Sequence, residues 1–316
     1  MTNNFPLLSV IIPCRNEKKF IDKCLDSIIE QDYPKDNLEV LVIDGMSEDG
    51  TRDVIREYVG KYPFVKILDN AKKFTPFALN IGIKAAQGEI IVRMDAHAGY
   101  EKDYISKCVK YLKEYDADNV GGVMKTLPSK KTIFARAIAI SLSHPFGAGG
   151  SYFRTGSAKP RWVDTVFGGC YKREVFNKIG LFNENLLRSQ DMEFNLRLKK
   201  AGGKILLFPD IIVSYYPQTT FASFFRHNLE DGIWSVYPLK FIKTKFKLRH
   251  YIPLIFILTL PLSIWFYIPL SLFFSLKIAM RENDLRFLFL MPLAFAYRHF
   301  GYGLGSIFGL IKIIKD

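Results

Sequence analysis

The chain lacks the marks of several large protein classes. It has four cysteines in 316 residues, Cys14, Cys24, Cys108 and Cys170. None forms a C-x-x-C pair or a metal-finger spacing, so a disulfide framework and a structural zinc site are excluded, and buried thiols in a reducing compartment are expected. Between the first apolar run and the helix after it stands Pro13-Cys-Arg-Asn16 in place of G-x-G-x-x-G, which argues against a dinucleotide-dependent dehydrogenase. The glycines at 147–150 and 301–305 stand in the wrong context for that motif. Met1 to Phe5 has neither a basic start nor a long apolar stretch, so no signal peptide is read there and the front of the protein is expected in the cytoplasm. No internal repeat, low-complexity tract or coiled-coil heptad is present.

Positive charge is abundant. The formal net charge is +13, and residues from Lys240 to Asp316 carry 11 Lys and Arg against 3 Asp and Glu. The same region is strongly apolar: Tyr251 to Leu276 is 26 residues without a charge, where about 20 suffice to cross a hydrocarbon core. Lys240, Lys243, Lys245, Lys247 and Arg249 precede it, and Lys277, Arg281 and Arg286 follow. Basic residues flanking apolar runs point to a bilayer with anionic headgroups and away from nucleic acid, and the positive-inside rule places both flanks on the cytoplasmic side. Pro253, Pro261 and Pro269 leave open a kinked span or a re-entrant hairpin. A second stretch, Phe287 to Ile311, has Arg298 and His299 at its middle, so it spans, pairs internally or lies in the interface.

The first half alternates short apolar runs with helical periodicity. Leu8 to Pro13, Leu38 to Ile43, Val65 to Leu68 and Glu89 to Met94 read as strands; Phe20 to Glu30, Asp49 to Tyr58, Phe77 to Ala86 and Tyr104 to Tyr115 read as helices. This alternation predicts an α/β fold with a mostly parallel sheet. Asn16, Asp44 and Asp95 then fall at the carboxyl ends of strands, where such sheets bind ligands. Further on, Ile133 to Leu142 reads as a helix, His144 to Gly150 as a flexible glycine-rich loop, Val166 to Tyr171 and Lys204 to Phe208 as strands, and Arg173 to Ile179 and Asp191 to Ala201 as helices. The boundary is set at 237, with a catalytic domain over 1–237 and basic, hydrophobic membrane-associated helices over 238–316.

Three constellations carry chemistry. The first couples Pro13-Cys-Arg-Asn16-Glu17 to Asp44-Gly-Met-Ser47-Glu-Asp49-Gly-Thr51, which suits a base or ribose as well as it suits two capped helices. In the second, Asn80-Ile-Gly82 precedes Arg93-Met-Asp95-Ala-His97. Asp95 and His97 can hold from one side a divalent cation that neutralises a diphosphate; the imidazole favours Mn²⁺ over Mg²⁺. The third is Gln190-Asp191-Met-Glu193 at a helix start, where Asp191 serves either as a cap or as a general base toward an acceptor hydroxyl.

In this order, Pro13, Asn16-Glu17, Asp44, Ser47, Asp49-Gly-Thr, Asn80-x-Gly, Asp95-x-His97, Gly168-Gly169 and Gln190-Asp191 resemble the successive motifs of family 2 glycosyltransferases. These have the GT-A fold, a Rossmann-like nucleotide-diphospho-sugar transferase domain. The resemblance covers about the first 235 residues and is greatest to the branch with succinoglycan-type β-1,3-glucosyltransferases of exopolysaccharide assembly. It implies donor contacts from Pro13, Asn16, Glu17, Asp44, Asn80 and Asp95, a cation on Asp95 and His97, and Asp191 as catalytic base. Gly169 and Gln190 then border the acceptor; Arg226 and Trp234 are read separately, either as serving near the diphosphate or, for Trp234, as simple packing. It further implies an inverting, metal-dependent hexosyltransferase using a UDP-sugar, UDP-glucose first, on a lipid-linked or polysaccharide acceptor. Gly45 stands where a second acid is usual, and the Gln-x-x-Arg-Trp element of processive synthases is absent, so one sugar per encounter is expected. The rival readings are another sugar-nucleotide enzyme and a catalytically inactive membrane scaffold with the same fold.

Overall fold

Strands buried on both faces read as continuous apolar runs, and the first strands here do so. In the computed structural model, which describes residues 5–242 and 248–315, Leu8–Cys14 forms β1 and Leu38–Asp44 forms β2, with all seven β2 residues buried. Between them α1 (Ile21–Ile29) buries Ile21, Cys24, Leu25 and Ile28, the i, i+3, i+4, i+7 stripe of a helix lying on a sheet. The chain continues through α2 (Thr51–Lys61), β3 (Val65–Asp69), α3 (Thr75–Ala85), β4 (Ile90–Arg93), β5 (Ala98–Tyr100), α4 (Tyr104–Glu114) and β6 (Asn119–Thr126). It then makes α5 (Ile133–Ser143), α6 (Pro145–Ala148) and α7 (Tyr152–Thr155), followed by β7 (Arg161–Trp162), β8 (Cys170–Lys172), α8 (Glu174–Ile179), α9 (Gln190–Lys200) and β9 (Ile205–Tyr215). The rest is helical: α10 (Phe221–Val236), α11 (Ile252–Leu258), α12 (Leu260–Glu282) and α13 (Arg286–Lys315). Lys243, Lys245 and Lys247 lie outside the described residues.

The strands form one sheet in the order β3-β2-β1-β4-β8-β6-β9-β5, with β7 on β9. The expected parallel pairing holds from β3 to β4. Beyond β4 the sheet turns antiparallel, with β8 on β4 and on β6, and both β5 and β7 on β9. The sheet is therefore mixed; in its antiparallel half β8 and β9 overlap strands read from the sequence, while β5, β6 and β7 were not revealed by periodicity. Strand β6 carries Gly121-Gly122 and has little β propensity, while β5 and β7 have three and two residues.

The chain divides into two units: Met1–Met124 with Gly156–Tyr215, and Lys125–Thr155 with Tyr216–Asp316. This division differs from a boundary at 237, because α10 packs on α13 and α5 also belongs to the helical unit. The α10–α13 contact depends on missing side chains. A Cβ on Gly232 would run into the Tyr302 carbonyl, and one on Gly305 into the Leu229 carbonyl. Gly301, Gly305 and Gly309 repeat this every four residues along α13, a small-residue ridge of the kind that lets helices meet closely in membranes.

Arg298 and His299 pair internally. Arg298 Nε donates to the Gly147 carbonyl and its NH1 to Asn228 Oδ1 (3.1 Å). His299 lies 3.0 Å from the Tyr267 hydroxyl through Nδ1 and 3.0 Å from the Phe146 carbonyl through Nε2. These contacts fall on residues 144–150, so the stretch expected as a flexible loop is instead ordered around α6, with His144 Nδ1 accepting the Phe146 N–H (3.1 Å). Of the three prolines, Pro253 and Pro261 sit in the first turns of α11 and α12, where no N–H is needed, and Pro269 lies inside α12. Among the described residues, one helix, Leu260–Glu282, is long and apolar enough to cross a membrane, and 22% of its apolar window is buried.

A buried carboxylate ties the parallel strands together. Glu39 of β2 accepts from Ser9 Oγ of β1 (2.7 Å), the Gln87 N–H (3.0 Å) and Lys66 Nζ of β3 (3.1 Å). Burial alone would push the Glu39 carboxyl up; the hydrogen bonds from Ser9 and Gln87 and the Lys66 ammonium outweigh it and hold the pKa below the usual range. A depressed folded-state pKa stabilises above the unfolded value and ceases to do so as the pH falls through the folded one. Glu39→Gln is therefore expected to cost about 1–3 kcal/mol at neutral pH. The difference in melting temperature from wild type should shrink as the pH drops below about 4, as thermal melts across pH would record.

Candidate active site

The carboxyl ends of β1, β3 and β4 surround an open cleft of about 160 Å³. Strand order runs outward from β1 in both directions, toward β2 and toward β4, so the cleft lies at the switch point where an open parallel sheet leaves a crevice. From the end of β1 come Pro13, Cys14, Arg15 and Glu17; from the β3–α3 turn come Asn70, Lys73 and Phe74; from the end of β4 come Arg93, Asp95 and His97.

Two loops are clipped together to make the first wall. The Asn16 N–H donates to Ser47 Oγ (2.8 Å), and Asn16 Oδ1 accepts the Glu48 N–H (3.0 Å). The Glu17 N–H donates to Thr51 Oγ1 (2.9 Å). Asp44 accepts from the Ser47 N–H (3.0 Å), the Ser47 hydroxyl (2.5 Å) and Arg52 NH1 (2.8 Å), and its side chain is fully buried. Arg52 also reaches Asp69 (2.8 Å). Asn16 and Asp44, expected as direct donor contacts, also fasten the loop, since Asn16 Oδ1 and the Asp44 carboxylate accept hydrogen bonds within it. Asn70 shapes the opposite wall: its Nδ2 donates to the Phe74 carbonyl (3.0 Å) and its Oδ1 accepts the Lys72 N–H (3.2 Å). This turn presents Lys73, at φ 67°, to the cleft.

On the floor, Arg93 and Asp95 point to one side, as alternate residues of an extended chain do. Arg93 Nε and NH2 donate to the two Asp95 oxygens at 2.9 and 3.3 Å. Burial alone would raise the Asp95 pKa; the Arg93 charge and then His97 outweigh it and hold it below the carboxylate range. The Asp95 backbone is fixed from behind, its N–H donating to the Tyr100 hydroxyl (2.6 Å) and its carbonyl accepting the Cys24 thiol (3.6 Å). His97 Nδ1 lies 3.4 Å from Glu17 Oε1. Burial opposes a charge on the imidazole, yet the hydrogen bond with Glu17 and the Asp95 carboxylate prevail and raise its pKa.

Among the described residues no three His, Cys, Asp or Glu side chains converge on one point. A carboxylate and an imidazole side by side on the cleft still fit a cation that takes its other ligands from a diphosphate and water, as phosphate-bound cations commonly do.

Gly169, expected to border the acceptor, has a structural task as well. It stands at φ 112° and its carbonyl accepts the Arg93 N–H (3.0 Å); a Cβ there would meet the Tyr171 ring at 2.6 Å. Its part is to lock the end of β4. Asp191 is half-buried in the first turn of α9, and its charge acts on the Arg93 guanidinium and on Tyr171. Gln190 beside it is buried. Helix α9 is pinned by Asn195, whose Nδ2 donates to Thr165 Oγ1 (3.0 Å) and whose Oδ1 accepts from Asn119 (3.1 Å).

Asn80, expected at the donor, is 3% exposed. Its Nδ2 donates to the Phe182 carbonyl and to Glu184 Oε1 (both 2.9 Å), and its Oδ1 accepts the Phe182 N–H (3.0 Å). Its amide is spent holding residues 180–186, the approach to α9. Arg226 and Trp234 belong to α10 in the helical unit. Arg226 is exposed, and Trp234 packs edge-on against Tyr237 (5.3 Å) beneath the Lys312 ammonium (5.5 Å). Arg15, Asn70, Lys73 and Arg93 are among the cleft residues not foreseen. For Arg93 the signal was its alternation with Asp95.

The profile of Glycosyl transferase family 2 matches residues 9–180, and the chain belongs to that family. A dolichyl N-acetyl-alpha-D-glucosaminyl phosphate 3-beta-D-2,3-diacetamido-2,3-dideoxy-beta-D-glucuronosyltransferase of Methanococcus voltae is 30% identical over 319 residues, covering 96% of this chain and 97% of that protein. The succinoglycan biosynthesis protein ExoA of Rhizobium meliloti (strain 1021) is 29% identical, covering 73% of this chain and 74% of its own. Among solved structures, the mannosyltransferase PcManGT of Pyrobaculum calidifontis, in complex with GDP-Man and Mn²⁺, aligns with 99% of this chain and 88% of its own at a TM-score of 0.66 and 22% identity. The fold is GT-A and the protein is a glycosyltransferase.

The position of Asn80 generates a prediction. Asn80→Ala leaves the buried Phe182 amide without its partner, at a cost of about 1–3 kcal/mol, and loosens the approach to α9. Turnover should fall while nucleotide affinity, measured by calorimetry, stays near wild type; a direct donor contact would give the reverse.

Proposed function

We propose that the protein is an inverting transferase that moves a hexose from a UDP-linked donor to a lipid-linked glycan at a membrane surface. The observation that carries this is the meeting at Arg93 of two sets of groups. Glu17, Asp95 and His97 line the donor cleft with it, and the Asp191 carboxylate is near enough for its charge to act on the same guanidinium.

In this reading the nucleoside lies against the 44–51 loop and the 70–74 turn. Arg15 and Lys73 meet the diphosphate, and Asp95 and His97 hold the cation. A divalent ion there neutralises charge on the departing diphosphate, and the imidazole favours Mn²⁺ over Mg²⁺. Asp191 takes the proton of an acceptor hydroxyl as its oxygen bonds to the anomeric carbon, and the bond from that carbon to the diphosphate breaks. A single displacement inverts the centre.

UDP-glucose is the first donor to test, from the resemblance of the motifs to succinoglycan-type glucosyltransferases. A UDP-uronic acid is the second, because the relative matched over nearly its full length is named for transfer of a glucuronic acid derivative. The same name includes a dolichyl phosphate acceptor, which supports a lipid-linked acceptor here. Membrane association draws support from Leu260–Glu282 and from exposed apolar side chains such as Trp265 (77%) and Phe266 (80%). The basic residues Lys277, Arg281 and Arg286 near the α12–α13 turn favour the cytoplasmic face.

General-base assistance is worth about 10²–10⁴ in rate. Asp191→Asn is therefore expected to lose at least about 10²-fold in turnover with the active donor while keeping wild-type donor affinity. Near wild-type turnover in that variant would remove Asp191 as the base, and failure of wild type with every common nucleotide sugar would favour the scaffold.

A further inference from the structure

Asp95 is proposed above as a cation ligand, yet here both its oxygens are engaged by one guanidinium, at 2.9 and 3.3 Å. The pair is secluded, with side chains 13% and 10% exposed. A divalent cation arriving alone would have to break two charge-assisted hydrogen bonds and settle beside a fixed positive charge. Arg93 is also incompletely used. Its NH1 is buried and has no hydrogen-bond partner, an uncommon state for a native polar group and one that calls for an explanation. The guanidinium lines the cleft, and the Asp191 carboxylate acts on it as well. Its backbone, by contrast, is fixed by the Gly169 carbonyl, which leaves the side chain as the part that can turn.

We infer that Arg93 is a latch on the cation site: it occupies Asp95 in the nucleotide-free protein and yields it only when cation and diphosphate arrive together. The negative charge of the diphosphate offsets the repulsion between cation and guanidinium, and the unpartnered NH1 gives Arg93 a further donor to offer the incoming diphosphate. Arg93 is a positioning residue in this scheme. It makes cation and nucleotide binding mutually dependent, each raising the affinity for the other by the same factor. The inference rests on the cation reading of Asp95 and His97.

The test is binding of Mn²⁺ to the full-length protein in detergent, followed by the electron paramagnetic resonance signal of free Mn²⁺, without nucleotide and with saturating UDP or GDP. Wild type should bind Mn²⁺ weakly alone and at least tenfold more tightly with the nucleotide. Arg93→Met should bind Mn²⁺ alone at least tenfold more tightly than wild type and lose most of the enhancement by nucleotide. Arg93→Lys, whose ammonium lacks the two-nitrogen fork that meets both oxygens in parallel, should fall between them and guards against failure of the methionine variant to fold. A folded variant with wild-type Mn²⁺ affinity and wild-type enhancement overturns the latch. Mn²⁺ bound by no variant under any condition removes the cation site itself and the latch with it, a result distinguishable from the previous one.

Discussion

Parallel pairing of β1 on both of its edges is the constraint from which the site follows. In register with β2 over Leu8–Cys14 and with β4 over residues 8–11, β1 brings three chain segments to the same rim as they leave the sheet. One leads to Asn16 and Glu17, one to Asp44 and Ser47, one to Arg93, Asp95 and His97. Parallel strands need crossover connections, and α1, α2 and α3 supply them. The loops before those helices are thereby gathered over one edge of the sheet, and cleft chemistry becomes a by-product of topology.

Much of the polar chemistry near the cleft is spent on holding it in shape. Asn16, Asp44, Asn70, Asn80 and Asn195 all have side-chain partners within the protein. The polar groups that line the cleft itself are mostly charged, Arg15, Glu17, Lys73, Arg93, Asp95 and His97 among them. The division is physically sensible. The asparagine amides and the buried Asp44 brace turns and helices, while the charged groups of the cleft stand where a charged ligand and a counterion can neutralise them.

The parallel half of the fold was legible because each of its elements has its own periodicity. The antiparallel half was less so: Gly121-Gly122 conceal β6, and β5 and β7 are too short to show alternation. At the site, the motifs identified the right loops but not the direction of each side chain. Asp44 looks like a ligand in sequence, and only the positions of Ser47 and Arg52 show that its carboxylate also fastens the loop. Arg93 had the opposite fate, standing inside a motif as an ordinary strand residue until its contact with Asp95 was seen. Residues 144–150 looked mobile because their glycines are visible in sequence and the Arg298 and His299 that hold them lie about 150 positions away.

The ridge of Gly301, Gly305 and Gly309 bears on how the helical unit coheres. Helices that meet through glycine are joined by close backbone contact, and Arg298 adds a hydrogen bond to Asn228 at the same crossing. Neither attraction comes from expelling water. The α10–α13 pair is thus suited to surroundings of low polarity, where adhesion between oily side chains has no advantage over adhesion to lipid tails. The outward side of the unit is left free to match whatever solvent it meets.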